Sequence, residues 1–535
     1  MTILIKYAYI ISTIIILPPA FKGEDLAKLS KIAYYLPRHS SGNKNKLDKT
    51  ISFRYRGYGR ISLEQSALIT MTQTYNLPDG PRKTRLWRLL KLIFQPVKYV
   101  EDFQSAYGDC FTIWGRKSHI VYFSQPQALQ QIFAVDASHL EAGNRVLSFL
   151  LGDNSLVALN GERHQRQRQL LTPSFHGDRM RAYGETIREI TLEVMSDWKP
   201  GKPFNIRASM QEITLRVILR VVFGLDEGQR YQQLRELLSK ALESISSPLT
   251  SSFLFFGFLQ KDLGSWSPWG RVLRLIEKID ELIYGLIQER RRESECDRNA
   301  CARSADRQDI LSLMMSARDE DGQPMSDVEL RDELMTLLMA GHETTASALT
   351  WAFYWVDHVP EVRDKLLLEL DPWNDNPEPA GIAKLPYLSA VCNETLRIYP
   401  IVMTAFLRRV KSPVEIMGYQ LPAGTTIVPS VYLAHHREEV YPQSQQFKPE
   451  RFLERQFSPY EFFPFGGGIR RCMGMAFAQY EMKLVLATVL SQLQVSMVNK
   501  RPVNPVRRGF TLAAPAGMRM VATPRQVKVK TTVSV

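Results

Sequence analysis

One segment near the middle of the chain limits the fold more than any other. Ser326-Asp327-Val328-Glu329 has the spacing of a helix capping box, and Pro324 stands just outside it. The pattern predicts a helix from there to about His358, stopped by Pro360. At the usual helical rise, some thirty residues span about 48 Å. Leu334, Met335, Leu337, Leu338 and Met339 make the middle of this helix apolar on nearly all sides. Such a helix crosses a core, so the rest of the chain has to pack around it. Inside the apolar stretch stands Ala340-Gly341-His342-Glu343-Thr344-Thr345. A glycine and a carboxylate both cost stability in a buried helix, so their presence there calls for an explanation.

A second segment carries chemistry. Phe465-Gly466-Gly467-Gly468-Ile469-Arg470-Arg471-Cys472-Met473-Gly474 precedes a long run, 475–493, read as an amphipathic helix. A cysteine at that place faces the free N–H groups and the positive end of a helix, with two arginines beside it. Those surroundings predict a thiolate. Three glycines in a row predict a backbone against which a flat group can lie. A thiolate on such a loop suits a haem iron as axial ligand.

The loop resembles the haem-binding loop of the cytochrome P450 family, with Phe465, Gly468, Arg470, Cys472 and Gly474 in the family's restricted places. The segment 340–345 is similar to the family's oxygen-activation motif. The resemblance implies that Gly341 gives space above the iron, that Thr344 hydrogen-bonds dioxygen and its waters, and that Glu343 helps deliver protons. Cleaving the O–O bond takes two protons, and a site closed to solvent must relay them. His342 is not expected to ligate iron. Glu394-Thr395-Leu396-Arg397 puts an acid and a base on one helix face. It resembles the family's ExxR motif, and Arg451 in Pro449-Glu450-Arg451-Phe452 would complete a buried structural network. The resemblance also implies propionate contacts from Arg470, Arg408, His164 and Arg168. The family often has tryptophan where this chain has His164, and the neighbouring Arg163 and Arg166 make that assignment rest on the resemblance.

The chain has 535 residues and no repeat or linker that divides its interior. Its net charge is +13, but residues 1–70 contain eleven Lys/Arg and four Asp/Glu. The basic character therefore belongs largely to the N-terminal segment. No stripe of alternating basic and aromatic residues follows it, so a nucleic-acid partner is not expected. The five cysteines form no CxxC pair, which predicts a reducing cytoplasm and no disulfide framework. Cys296 and Cys301 lack two further ligands nearby, so a zinc site is not expected. Residues Tyr7 to Leu17 form an apolar run too short to span a bilayer. It reads as a signal-peptide core or as a peripheral membrane anchor within residues 1–20. Leu77-Pro78-Asp79-Gly80-Pro81 looks like the proline-rich entry to the family's catalytic domain. In a third reading Met71 is the natural start and residues 1–70 are dispensable. The expected organisation is thus a basic extension (1–70), one domain (71–523) and a short tail (524–535).

By the resemblance the fold is mostly α-helical with small antiparallel β-sheets. Strands are expected within 102–121 and 414–426, and a hairpin over 509–521. The cofactor is haem b. The function implied is monooxygenation, hydroxylation or epoxidation, of a small lipophilic substrate by O2. No flavin or nicotinamide fingerprint is present, which points to the bacterial type without a fused reductase. Electrons would come from a separate ferredoxin or flavoprotein reductase. A haem–thiolate isomerase or peroxygenase, or a non-catalytic haem sensor, are the alternatives. Segments 142–156, 249–258 and 401–406, the helix before Gly341, and 510–512 are expected to line the pocket. They supply Leu147, Phe149, Leu150, Phe253, Phe255, Phe256, Leu338, Val402, Met403, Phe406 and Phe510.

Overall fold

The computed structural model describes residues 76–525, apart from 83–84, 116–117, 136–137, 144–147, 176–178, 247–261, 263, 265, 298–308 and 374–377. These residues belong to one compact unit, Thr74–Val535. The extension 1–70, Cys301, the tail 526–535, and Leu147, Phe253, Phe255 and Phe256 lie outside the described residues.

Five helices carry the site: α1 (Gly161–Leu171), α2 (Ile206–Val221), α3 (Asp327–His358), α4 (Pro386–Ile398) and α5 (Met475–Gln492). The long helix falls where the capping box puts it. Ser326 accepts from the Glu329 N–H while the Glu329 carboxylate accepts from the Ser326 N–H at 2.8 Å. Most of α3 is buried, from Leu330 to Val356. α2, α4 and α5 pack against it. α5 departs from expectation: Phe477, Glu481, Met482 and nearly every residue from Leu484 to Leu490 are buried, so it is a core helix rather than an amphipathic one.

The strands are β1 (Cys110–Ile113), β2 (Ile120–Phe123), β3 (Leu140–Ala142), β4 (Pro203–Asn205), β5 (Arg408–Val410), β6 (Val414–Ile416), β7 (Tyr419–Leu421), β8 (Thr426–Pro429), β9 (Leu493–Met497), β10 (Val506–Arg508), β11 (Thr511–Ala513) and β12 (Arg519–Pro524). One sheet runs β1-β2-β8-β5-β3, and within it only β2 and β8 are parallel. β4-β12-β9 and the pairs β6-β7 and β10-β11 are antiparallel. Residues 102–107 belong to the helix Pro96–Tyr107 instead of a strand. The hairpin is 506–513, not 509–521: Gly509, at φ +57°, makes its turn, and β12 leaves to pair with β9 and β4.

The ExxR pair is completely buried. Arg397 Nε donates to Glu394 Oε2 at 2.7 Å and its Nη2 to Oε1 at 2.8 Å. Arg451 reaches the same Oε1 at 3.2 Å, and the Lys448 N–H at 2.8 Å. Arg397 also donates to the His435 carbonyl at 2.8 Å and to the Gln446 carbonyl at 3.2 Å. The His435 ring accepts from the Phe463 N–H at 3.1 Å, which ties the network to the segment leading into the cysteine loop. Replacing Glu394 by alanine leaves two guanidinium groups without their carboxylate, at a cost of about 3–5 kcal/mol. We expect Glu394→Ala and Arg397→Ala to lower the urea midpoint sharply and to purify without haem. Normal haem content would contradict this.

Glu481 tests the core from the other side. Its side chain is buried, Oε1 has no partner, and burial pushes its pKa up to about 8. An unfolded glutamate ionises near its ordinary value, so its contribution to stability is full below about pH 4.5 and lost as pH rises toward 8. Glu481→Gln is expected to flatten that dependence and to be the more stable form near pH 8 in urea titrations. An unchanged pH profile would show that the carboxyl has a partner in solution.

Candidate active site

The middle of α3 is open mainly along one side; Met339, on the other, is half-buried against the core. Ala340 is exposed, and Leu337, Gly341 and Thr344 are half-buried, although the helix around them is buried. Positions 337, 340, 341 and 344 form one helical stripe, and a stripe exposed in a core helix borders an internal space. The Thr344 hydroxyl donates to the Ala340 carbonyl one turn back. Leu338 and Leu150, expected to line the pocket, are core residues with 0% and 2% exposure. Phe149 is tied up against the Trp269 ring, 4.5 Å between centroids. Met403 is half-buried against a satellite core. Val402, Phe406 and Phe510 remain exposed.

The remaining motif residues face α2. A Cβ at Gly341 would lie 3.1 Å from the Ile218 side chain of α2. The glycine eases the packing of α2, and it also lies on the open stripe beside Ala340. Glu343 is buried in an ion pair with Arg207 of α2, and its Oε2 accepts from Gln211 at 2.9 Å. His342 is buried too, 2.8 Å from the Thr214 hydroxyl, and burial pushes its imidazole down to about 3. Arg207 and Gln211 were not legible in the sequence, because their partner lies more than a hundred residues away.

The cysteine loop is shaped by its neighbours. Gly466 and Gly468 take φ +71° and +64°, in the left-handed region. A Cβ at Gly467 would lie 2.4 Å from the Phe133 ring, and one at Gly468 2.9 Å from the Phe133 carbonyl. These glycines thus serve the turn and its close approach to the helix Pro126–Ala134. At Gly474, the N-cap of α5, a Cβ would meet nothing within 4 Å. Phe465 is half-buried, and its carbonyl accepts from the Cys472 N–H at 2.9 Å. Cys472 is exposed, yet neighbouring protein crowds it enough to raise its thiol above the ordinary value. The Gly474 N–H and the charges of Arg168 and Arg471 oppose that rise without overcoming it. A thiolate at this position would draw on the charge of a bound iron as well as on the loop.

Four basic side chains converge nearby. Arg470 donates to the carbonyl of Leu156 at 3.1 Å, to that of Leu159, and to Asn160 Oδ1 at 2.9 Å. Arg408, on β5, donates to the Gly467 carbonyl at 3.1 Å, while its Nε is buried without a partner. Arg168, on α1, donates to the Arg471 carbonyl at 2.9 Å. His164, also on α1, is buried and pushed down to about 4 by burial and by Arg470, Arg168 and Arg408. Burial holds Arg408 and Arg470 down to about 10, and for Arg470 the charges of Arg408 and Arg168 add to it. Among the described residues no carboxylate forms an ion pair with any of these groups. Arg408 is buried, Arg470 and Arg168 are half-buried and His164 beside them is neutral, and positive groups so placed without counterions call for an anionic ligand. With Cys472 beside them, they fit the two propionates and the iron of haem b. Arg163 and Arg166 are placed elsewhere, on Asn154 and on Asp319 and Glu329.

α3 also holds the strap that presents those carbonyls to Arg470. Asp332 accepts from the Asn154 N–H at 3.0 Å. Glu333 accepts from the Leu156 N–H at 2.7 Å and from Gln167 of α1 at 3.1 Å. Leu156 thus joins α3 through its N–H and Arg470 through its carbonyl. A charge-assisted hydrogen bond is worth about 1.5–3 kcal/mol, which is on the order of ten-fold or more in affinity. Arg470→Leu and Arg408→Leu are each expected to release haem to excess apomyoglobin about ten times faster. Transfer at the native rate in both would remove the propionate assignment.

The sequence model of the cytochrome P450 family matches residues 78–521. A Mycobacterium tuberculosis protein that carries the name cytochrome P450 135B1 is 34% identical over 84% of this chain and 92% of its own length. Another from that organism, carrying the name cytochrome P450 138, is 33% identical over 84% of this chain and 97% of its own. Among solved structures, retinoic acid-bound cyanobacterial CYP120A1 has a TM-score of 0.71 at 22% identity. It covers 84% of this chain and 100% of its own. Sequence match and fold agree along nearly the whole described unit, and the chain belongs to the cytochrome P450 family.

Proposed function

We propose that this haem–thiolate monooxygenase hydroxylates or epoxidises a small lipophilic molecule, drawing electrons from a separate ferredoxin or flavoprotein reductase in the cytoplasm. Haem b, when bound, supplies dioxygen activation and transfer of one oxygen atom to the substrate. The observation that carries the reading is the acid–alcohol pair, with Thr344 on the open stripe of α3 and Glu343 next to it on Arg207 and Gln211. Thr344 spends its proton on the Ala340 carbonyl, so its oxygen faces the opening as an acceptor that can hold a water. Glu343 has both oxygens engaged on the α2 side. To pass a proton it swings from Arg207 toward that water, and Arg207 acts as the rest position of the relay. A peroxygenase, isomerase or sensor has less use for such a relay.

Exposed Val402, Phe406 and Phe510 favour an apolar substrate. The solved structure of similar fold, described as bound to retinoic acid, is consistent with a lipophile of that size. Arg471, exposed beside Cys472, favours an acidic electron donor; reduction rates that fall with ionic strength are the expected sign. Among the described residues no helix is long and apolar enough to cross a membrane.

The relay is tested with the haem-loaded protein, a reductase pair and a substrate found by optical titration. Thr344→Ala and Glu343→Gln are expected to keep substrate binding. Product per electron should fall by about ten-fold or more, the scale of a lost proton-transfer group, with the balance recovered as peroxide or water. Undiminished coupling in both variants, or peroxide-driven turnover equal to electron-driven turnover in the native protein, would overturn the reading.

A further inference from the structure

The charges around Glu343 do not balance. Arg207 is its ion-pair partner, and Arg508, at the end of β10, feels both of them: Arg207 repels it and Glu343 attracts it. Arg508 is half-buried, and its Nε is buried without a partner. Among the described residues its guanidinium has no hydrogen bond and no ion pair. The Arg207 Nε is buried and unpartnered as well. Glu243, the other acid that attracts Arg508, is exposed on the helix Gln229–Ser246 and is the weakest of its influences. Arg207 thus engages the one buried carboxylate, and Arg508 adds a second positive charge near it that no described residue pairs with.

The hairpin bearing Arg508 is fixed in place. The Leu512 carbonyl accepts from the Trp351 indole of α3 at 3.1 Å, and the Leu512 N–H donates to the Ile401 carbonyl at 2.8 Å. Between those ties the turn presents Phe510, 45% exposed, two residues from the unpaired cation. The segment on the other side of the Ile401 tie presents Val402 and Phe406, also exposed. These exposed apolar side chains stand on the two segments that the tie joins, and an unpaired guanidinium on the same hairpin would suit a ligand with an apolar body and an anionic end.

We infer that the substrate is a lipophilic carboxylic acid whose carboxylate is bound by Arg508. The inference rests on the proposed reading of the 401–406 and 510–512 segments as pocket lining, and it narrows the substrate to apolar acids. Arg508 is a binding residue, and its terminal Nη groups, which no described residue engages, are the donors the carboxylate would meet.

The test uses the haem-loaded full chain and the absorption change on substrate binding. The probes are hexadecanoic acid and abietic acid, each beside its methyl ester, which keeps the apolar body and removes the charge. At least one acid is expected to bind on the order of ten-fold tighter than its ester. Arg508→Gln should weaken that acid to the level of the ester and leave the ester unchanged, and Arg508→Lys should restore part of the preference. The inference is overturned if neither acid perturbs the spectrum, if acid and ester bind alike, or if the preference survives in Arg508→Gln. Esters that bind to a protein with an intact thiolate spectrum, without acid preference, would sink this inference and spare the monooxygenase reading. Loss of the thiolate spectrum in the native protein would sink both.

Discussion

The Glu394–Arg397 pair holds the rest in place. Neither side chain touches solvent, and between them they gather three other stretches of chain: the His435 turn, the Gln446–Lys448 stretch and Arg451. An isolated pair buried to this degree would gain little over apolar residues of the same size. Its value here lies in geometry. One planar guanidinium fixes carbonyls from separate stretches, and His435 passes that constraint to the Phe463 N–H and so toward the cysteine loop. The Arg397 and Arg451 guanidinium groups also lie over the Tyr441 ring, at 5.2 and 6.0 Å, which helps keep water out.

The second constraint is the long helix α3, which serves several masters at once. Its first half sends Asp332 and Glu333 to the strap that positions Arg470. Its centre turns one narrow stripe toward the internal space and commits Glu343 to α2. Its second half anchors the C-terminal hairpin through Trp351. Glu333, Leu337, Ala340, Thr344 and Trp351 follow one another along one face of the helix, so the strap, the open stripe and the hairpin tie share a side, while Asp332 and Glu343 lie to one side of it. Gly341 lies on the open stripe beside Ala340, and a Cβ there would stand 3.1 Å from the Ile218 side chain.

Much of this was legible in the sequence, for reasons that are local. The capping box, the prolines that bound the helices and the short spacings of the cysteine loop and of ExxR are set by residues within a few positions of one another. What escaped was set by distance. Arg207, Gln211 and Asn160 meet their partners only after folding, and an arginine or an amide carries no mark of its future partner. The loop glycines were rightly singled out, but Phe133, whose ring crowds Gly467 and whose carbonyl crowds Gly468, comes from a far part of the chain. At Cys472 the nearby arginines and N–H groups are visible in sequence, while the crowding by distant parts of the chain that opposes them is not. The hairpin was placed too late because nothing local tells whether 519–524 pairs with its own neighbour or with β9.

The account turns on sulfur ligation at Cys472 opposite the open stripe of α3, with unpaired cations receiving the propionates. The absorption of the reduced, CO-bound protein reports that ligation most directly. The native chain is predicted to show the strongly red-shifted Soret band of a thiolate ligand, and Cys472→Ser to lose it. A native spectrum without that band, or a serine variant that keeps it, would contradict the account.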